Sequence, residues 1–190
     1  CSATLSFECL SFLPAVPIVI GISEGRRHLY FQTARPCYRV PLIRNLSPFQ
    51  QNSSNLNFQT KDIRLDLEGH SFHLTLVRNT DELMDALLAK GDDHEDVRDE
   101  RIPYWADLWP SAIALGRHLI RRNLIKPGMT VTEIGCGLGL PGIVAGALGA
   151  EVTLTDYLPD ALRFARRNWE RNVARPARYV PLDWRRPDLA

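Results

Sequence analysis

The sequence predicts an α/β fold in which an open sheet of three parallel strands, with helices between them, follows a β-hairpin. Three observations carry this. Residues 129–182 alternate strand, helix, strand, helix and strand with short connections. The glycine-rich run Gly135-Cys136-Gly137-Leu138-Gly139 falls where the first of those strands meets its helix. Upstream, two period-2 runs flank Gly69.

The 190 residues are 45% hydrophobic, 24% charged and 8% aromatic, which excludes collagen-like, mucin-like and wholly disordered classes. This length fits one domain, or one domain with an appendage. Lys+Arg 23 against Asp+Glu 22 gives a net charge of +1, so a nucleic-acid partner is not expected. The charge is unevenly spread. Residues 1–60 hold five Arg, no Lys, no Asp and only Glu8 and Glu24, whereas residues 61–190 hold 18 basic and 20 acidic groups. Cys1, Cys9, Cys37 and Cys136 are scattered without a CxxC pair, so neither a zinc site nor a disulfide framework is expected, and a reducing, cytoplasmic compartment is. The apolar stretch 10–22 contains Pro14 and Pro17 and is too short to span a bilayer of about 30 Å, so no membrane partner is expected. The acid-poor first 60 residues meet part of the transit-peptide description. The plainer reading is a poorly ordered leader on a chain that begins mid-sequence.

Element by element, residues 1–60 show no sustained period, and Gln50-Gln51-Asn52-Ser53-Ser54-Asn55 reads as a polar linker. Ile63, Leu65 and Leu67 then alternate with charged residues. Beyond Gly69-His70, Phe72, Leu74 and Leu76 alternate again, which predicts the hairpin. Asn79 with Glu82 forms a capping-box pattern that opens a short helix, with Leu83, Leu87 and Leu88 inward and Gly91 as its stop. The acidic run 92–96 reads as a solvated loop. Pro110 suits the first position of a helix running to about 123, with Ile113, Leu119 and Ile120 as its buried stripe. Strands are expected at 129–134, 151–155 and 178–182, and helices at 141–148 and 159–172. On the last helix, Arg163, Arg167 and Arg171 recur every fourth residue. They read as a solvated face opposite Leu162, Ala165 and Trp169, or as a docking surface for an acidic partner. The chain thus divides into a leader (1–60), a hairpin-and-helix region (61–128) and the parallel unit (129–190).

In such a sheet, ligands bind beyond the carboxyl ends of the strands. Glycines there let the chain turn sharply and let a ligand lie against the backbone, while the following helix presents free amides. Asp156 ends the second strand, about 20 residues on, where an acid can hold both ribose hydroxyls. Two glycine registers compete. Gly137 to Gly142 fits GxGxxG, the dinucleotide pattern, while Gly135 to Gly139 fits a shorter GxGxG. Glu133, inside the strand, favours a ligand with an amino group over one with a pyrophosphate, which it would repel.

Taken together, these residues resemble the class I S-adenosylmethionine-dependent methyltransferases, and most closely the protein-lysine and nicotinamide N-methyltransferase-like group. The resemblance runs from about 61 to the chain end. Glu133 to Leu140 with Gly142-Ile143-Val144-Ala145 is similar to that group's glycine motif, and Leu154-Thr155-Asp156 to its ribose-binding strand end. Leu108-Trp109-Pro110-Ser111-Ala112 is similar to its upstream helix, and Leu182-Asp183-Trp184 to its third strand end. The resemblance implies a Rossmann-like methyltransferase sheet, S-adenosyl-L-methionine as cofactor, and a protein lysine or small-molecule amine as acceptor.

It further implies that Gly135, Cys136 and Gly137 contact the methionine part through backbone, with Gly139 in the same cofactor-binding loop and Glu133 near the amino group. Asp156 would hold the ribose, Asp183 the adenine amino group, and Trp184 and Trp109 the flat faces. Trp105 fits core packing equally well. In the resembled group the acceptor contacts follow the fourth strand. The 62 residues from Met129 onward are enough for only three strands of the usual seven, so no catalytic residue is assigned. The expectation is a cofactor-binding half whose first strand has an open flank. Two other readings stand beside it: an NAD(P)-dependent oxidoreductase on the GxGxxG register, and an inactive fragment that only binds cofactor.

Overall fold

The computed structural model describes residues 19–24, 27–29 and 58–185. The polar linker at 50–55 and Cys1, Cys9 and Cys37 lie outside the described residues. Two strands come from the leader, β1 (Val19–Glu24) and β2 (Arg27–Leu29). The predicted hairpin is β3 (Thr60–Leu67) and β4 (His70–Val77), paired in register from Thr60 opposite Val77 to Leu67 opposite His70. Then come α1 (Asp81–Leu88), a single-turn α2 (Glu95–Arg98), a 3-10 turn (Tyr104–Ala106) and α3 (Pro110–Arg121). The parallel unit follows as β5 (Thr130–Ile134), α4 (Leu140–Ala147), β6 (Glu151–Asp156), α5 (Pro159–Glu170) and β7 (Arg178–Pro181).

The three parallel strands lie side by side as β5-β6-β7, as the alternating pattern requires. The flank of β5 is not open, however. β1 pairs antiparallel along it, from Val19 opposite Ile134 to Ser23 opposite Thr130, and β2 pairs with β1, giving the order β2-β1-β5-β6-β7. The physical reason is that an exposed edge strand presents a row of bare N–H and C=O groups, which any extended β-prone segment can satisfy. Val19, Ile20 and Ile22 supply that propensity within a leader that otherwise shows no period.

The core is continuous between hairpin and sheet. Leu67, Phe72 and Leu74 of the hairpin join Leu119 of α3, Val131 of β5, Ile143 and Val144 of α4, and Phe164 and Trp169 of α5. Two helix stripes differ from expectation. Leu88 is 63% exposed, so only Leu87 anchors α1 fully. On α3 the buried positions are Ala112, Gly116 and Leu119, while Ile113 and Ile120 are half-buried. The cause is close approach. A Cβ on Gly116 would stand 3.3 Å from both Leu67 Cδ1 and Val144 Cγ2, so small residues face the hairpin and α4 there and larger ones flank the contact.

The arginine row of α5 is also not a solvated face. Arg171 donates to Asp62 Oδ1 at 2.7 Å and to Thr75 Oγ1 at 2.6 Å, Arg167 donates to Thr75 Oγ1 at 3.3 Å, and Arg163 pairs with Asp160. Arg167 and Arg171 face the hairpin because α5 packs against β4.

Candidate cofactor site

Because β5, β6 and β7 run parallel, their carboxyl ends lie on one side of the sheet, and Glu133, the glycine loop, Asp156 and Asp183 stand at those ends. The turn after β5 depends on glycine. Gly135, Gly137 and Gly139 have φ of 66°, 51° and 80°, a region costly for side chains. At Gly137 a Cβ would also stand 3.2 Å from the Trp105 carbonyl oxygen, so the 3-10 turn passes directly over the loop. Cys136 is held on both sides of its backbone, its N–H donating to Thr155 O at 2.8 Å and its C=O accepting from Gly139 N at 2.7 Å. Its thiol is buried, and burial pushes its pKa well up, which makes it a small filler and not a nucleophile.

Two carboxyl groups flank this loop. Glu133 is 1% exposed, and its Oε2 accepts from Gly142 N–H at 2.8 Å, in the first turn of α4. Burial pushes its pKa up to about 8, against the pull of that amide. Gly142 leaves room for it, since a Cβ there would stand 2.6 Å from Glu133 Oε2 and 2.5 Å from Leu154 Cδ2. Asp156, 5% exposed, accepts from Gly137 N–H and from Leu158 N–H, each at 3.0 Å. Burial raises its pKa as well, opposed by those backbone donors. Among the described residues, no basic side chain forms an ion pair with either carboxylate. Nor do the described residues include a group of three or more His, Cys, Asp or Glu able to hold a metal ion.

The third strand end adds Asp183, placed beside Asp156 by the Leu182 N–H bond to Asp156 O at 2.9 Å. Trp184, next along, is 47% exposed. Trp109 caps α3. It lies edge-on to Tyr104 with its indole N–H on Tyr104 O at 2.7 Å, so the turn crossing Gly137 fixes its position. Trp105 packs with Phe164 at 5.2 Å and Phe58 at 6.0 Å between ring centroids, which assigns it to the core.

Sequence reasoning missed three groups. Asn168 is fully buried. It accepts from Thr75 N–H at 2.7 Å and donates to Thr75 O at 3.2 Å and Leu138 O at 3.1 Å, so it pins the glycine loop to the hairpin. Arg185 binds Asp183 and Asp99 and lies over the Tyr157 ring. Arg175 caps the carboxyl end of α4, donating to Gly146 O at 2.7 Å. A fully buried helix face holding Asn was the one available signal for the first. The other two had none.

Residues 98–189 match the family described as lysine methyltransferase. A histone-arginine methyltransferase, METTL23 of Rattus norvegicus, is 36% identical over 85 residues, 44% of this chain and 38% of its own length. Protein-lysine methyltransferase METTL21E of Bos taurus is 42% identical over 89 residues, 43% of this chain and 30% of its own length. An electron transfer flavoprotein beta subunit lysine methyltransferase of Danio rerio is 37% identical over 75 residues, 39% and 29% respectively. The chain thus spans well under half the length of these relatives.

Proposed function

From the relationship of residues 98–189 to the lysine methyltransferase family, within the class I S-adenosylmethionine-dependent methyltransferases, we propose that this protein binds S-adenosyl-L-methionine and takes part in N-methylation of a protein lysine. The observation that carries the reading is the pair of buried carboxyls, Glu133 and Asp156, flanking a glycine loop with no basic side chain paired to either. Buried carboxyls with no basic partner favour a ligand that brings positive charge, which would hold them ionised. A ligand with an ammonium and a sulfonium fits. A pyrophosphate does not, because the helix amide it would use, Gly142 N–H, already serves the Glu133 carboxyl. This weighs against the dinucleotide register of Gly137 to Gly142.

The cofactor supplies a methyl group on a sulfonium sulfur, which an unprotonated nitrogen can accept by in-line displacement. The residues of this chain bind and orient. Gly135, Gly137 and Gly139 let the methionine part lie against the backbone, with Cys136 held between them as a small filler. Glu133 offsets the ammonium charge, Asp156 accepts from the ribose hydroxyls, Asp183 accepts from the adenine amino group, and Trp109 and Trp184 cover its faces. Such positioning supplies most of the rate in a transfer of this kind, together with exclusion of water. No residue is assigned to the acceptor.

One relative, METTL23, is named a histone-arginine methyltransferase and favours a second acceptor reading, an arginine side chain. Methylated product from a peptide holding both residue types separates the two when hydrolysed and analysed. Among the described residues no helix is long and apolar enough to cross a membrane, and a cytoplasmic location is part of the proposal. Calorimetric titration with S-adenosylhomocysteine and, separately, NADH tests the cofactor. We expect binding of the first alone, weakened about 10- to 100-fold in Asp156→Ala, the loss of a charge-assisted hydrogen bond. Binding of NADH, or an unaltered affinity in the variant, would overturn the reading.

A further inference from the structure

Arg185 touches three separate parts of the molecule. Its Nε and Nη2 donate to Oδ1 and Oδ2 of Asp183, each at 2.9 Å, and its backbone N–H donates to Oδ1 at 2.9 Å. The same Nη2 reaches Oδ1 and Oδ2 of Asp99 at 3.1 and 3.3 Å, while Nη1 donates to the Asp99 carbonyl at 3.2 Å. Its guanidinium carbon lies 4.9 Å from the centroid of Tyr157, the residue next to Asp156. Asp99 is itself held by Arg101 Nε at 3.1 Å, and Arg101 also reaches Asp96 and Glu95.

We propose that Arg185 is a positioning residue of the cofactor site, fixing the Asp183 carboxylate toward an adenine amino group and tethering the 93–101 segment to that end of the site. The inference rests on the methyltransferase reading.

Two physical points support it. First, Asp183 lies beyond the last residue of β7, where the strand ladder no longer sets side-chain direction. A bidentate guanidinium fork, planar and preorganised, does set it. The fork is in turn fixed from outside by Asp99, 86 residues away in sequence, and from below by the Tyr157 ring. Second, the side chains of Arg185, Asp99 and Asp183 are 36%, 25% and 28% exposed. Ion pairs so exposed add little to folding stability, so the network's consequence is geometric. Asp183 and Asp99 line one open depression with Asp93, Glu95, Arg98 and Arg101, so the tethered segment forms the rim of that end.

The test uses the full chain and two ligands, S-adenosylhomocysteine and S-inosylhomocysteine, which differ in the amino group that Asp183 would read. The wild type should prefer the adenine ligand by about tenfold or more. Arg185→Ala should bring the ratio near one by weakening the adenine ligand alone. Arg185→Lys, which keeps charge but loses the fork, and Asp99→Ala should fall between. Thermal unfolding of each variant checks the fold. Equal weakening of both ligands in Arg185→Ala, an unchanged ratio, or a wild-type ratio near one would overturn the proposal and leave the methyltransferase reading standing. A wild type that binds neither ligand would remove the reading and the proposal together.

Discussion

Glu133 is buried between β5 and the first turn of α4, and its titration links the site to pH. In the unfolded chain the carboxyl titrates near its ordinary 4.5, in the fold near 8, chiefly because burial disfavours the charged form. Between those values the native state binds more protons than the unfolded state, so stability falls as pH rises through the window. Asp156 is shifted in the same direction, so it too contributes stability that is lost as pH rises above its ordinary 3.8. Urea unfolding at intervals from pH 5 to 8 should therefore show declining stability, by on the order of a few kcal/mol in all, and Glu133→Gln should flatten much of it. The ammonium group of a bound ligand reverses the balance by favouring the carboxylate beside it. Binding of S-adenosylhomocysteine near pH 7 should then release protons, measurable as a dependence of calorimetric enthalpy on the ionisation heat of the buffer. The placement of Glu133, the glycines and Asp156 was readable in sequence because strand ends and glycine spacing fix it locally. The state of the Cys136 amide was not, since the cross-strand bond to Thr155 O takes it.

Among the elements, α5 does work that its sequence conceals. Asn168 and Asn172 stand one turn apart and bind alternate residues of β4. Asn172 accepts from His73 N–H and donates to His73 O, both at 2.8 Å, while Asn168 does the same at Thr75. One amide on α5 and one in the turn just beyond it thus act as the next strand would, satisfying the edge of β4 that does not face β3. Removing Asn168 leaves the buried N–H and C=O of Thr75 without partners. We expect Asn168→Ala to cost about 3 kcal/mol, seen as a lower urea midpoint, and to speed hydrogen exchange at the Thr75 amide by a corresponding factor. Asn172→Ala should cost less, since its contacts lie nearer solvent. Helical period correctly gave α5 and its apolar stripe. It could not show that the polar neighbours of that stripe grip a hairpin more than 90 residues earlier, because periodicity carries no tertiary partner. The same limit hid Arg175, whose loop position gives no sign that it caps α4.

Across the whole molecule, the hairpin and the parallel unit are joined through α5, which packs on β4, β6 and β7, and through α3, which packs on β3 and α4. The strand–helix alternation of 129–182 and the hairpin of 61–76 were readable because periods of 2 and 3.6 are local. The antiparallel strands on the flank of β5 were not, because 19–29 has strand-forming residues without an alternating pattern to announce them. The joint is close at Gly116, where α3 passes between Leu67 of the hairpin and Val144 of α4. A branched side chain there must push one away from the other. Gly116→Val should lower stability by about 1–3 kcal/mol, the usual range for overpacking a tight contact, and Gly116→Ala by less. If the joint is what unites the two parts, hydrogen exchange in Gly116→Val should quicken first across β3 and β4 and leave β5 and β6 protected. Uniform quickening of all four strands would show instead that hairpin and sheet open together, with the bonds of Asn168 and Asn172 holding them through the strain.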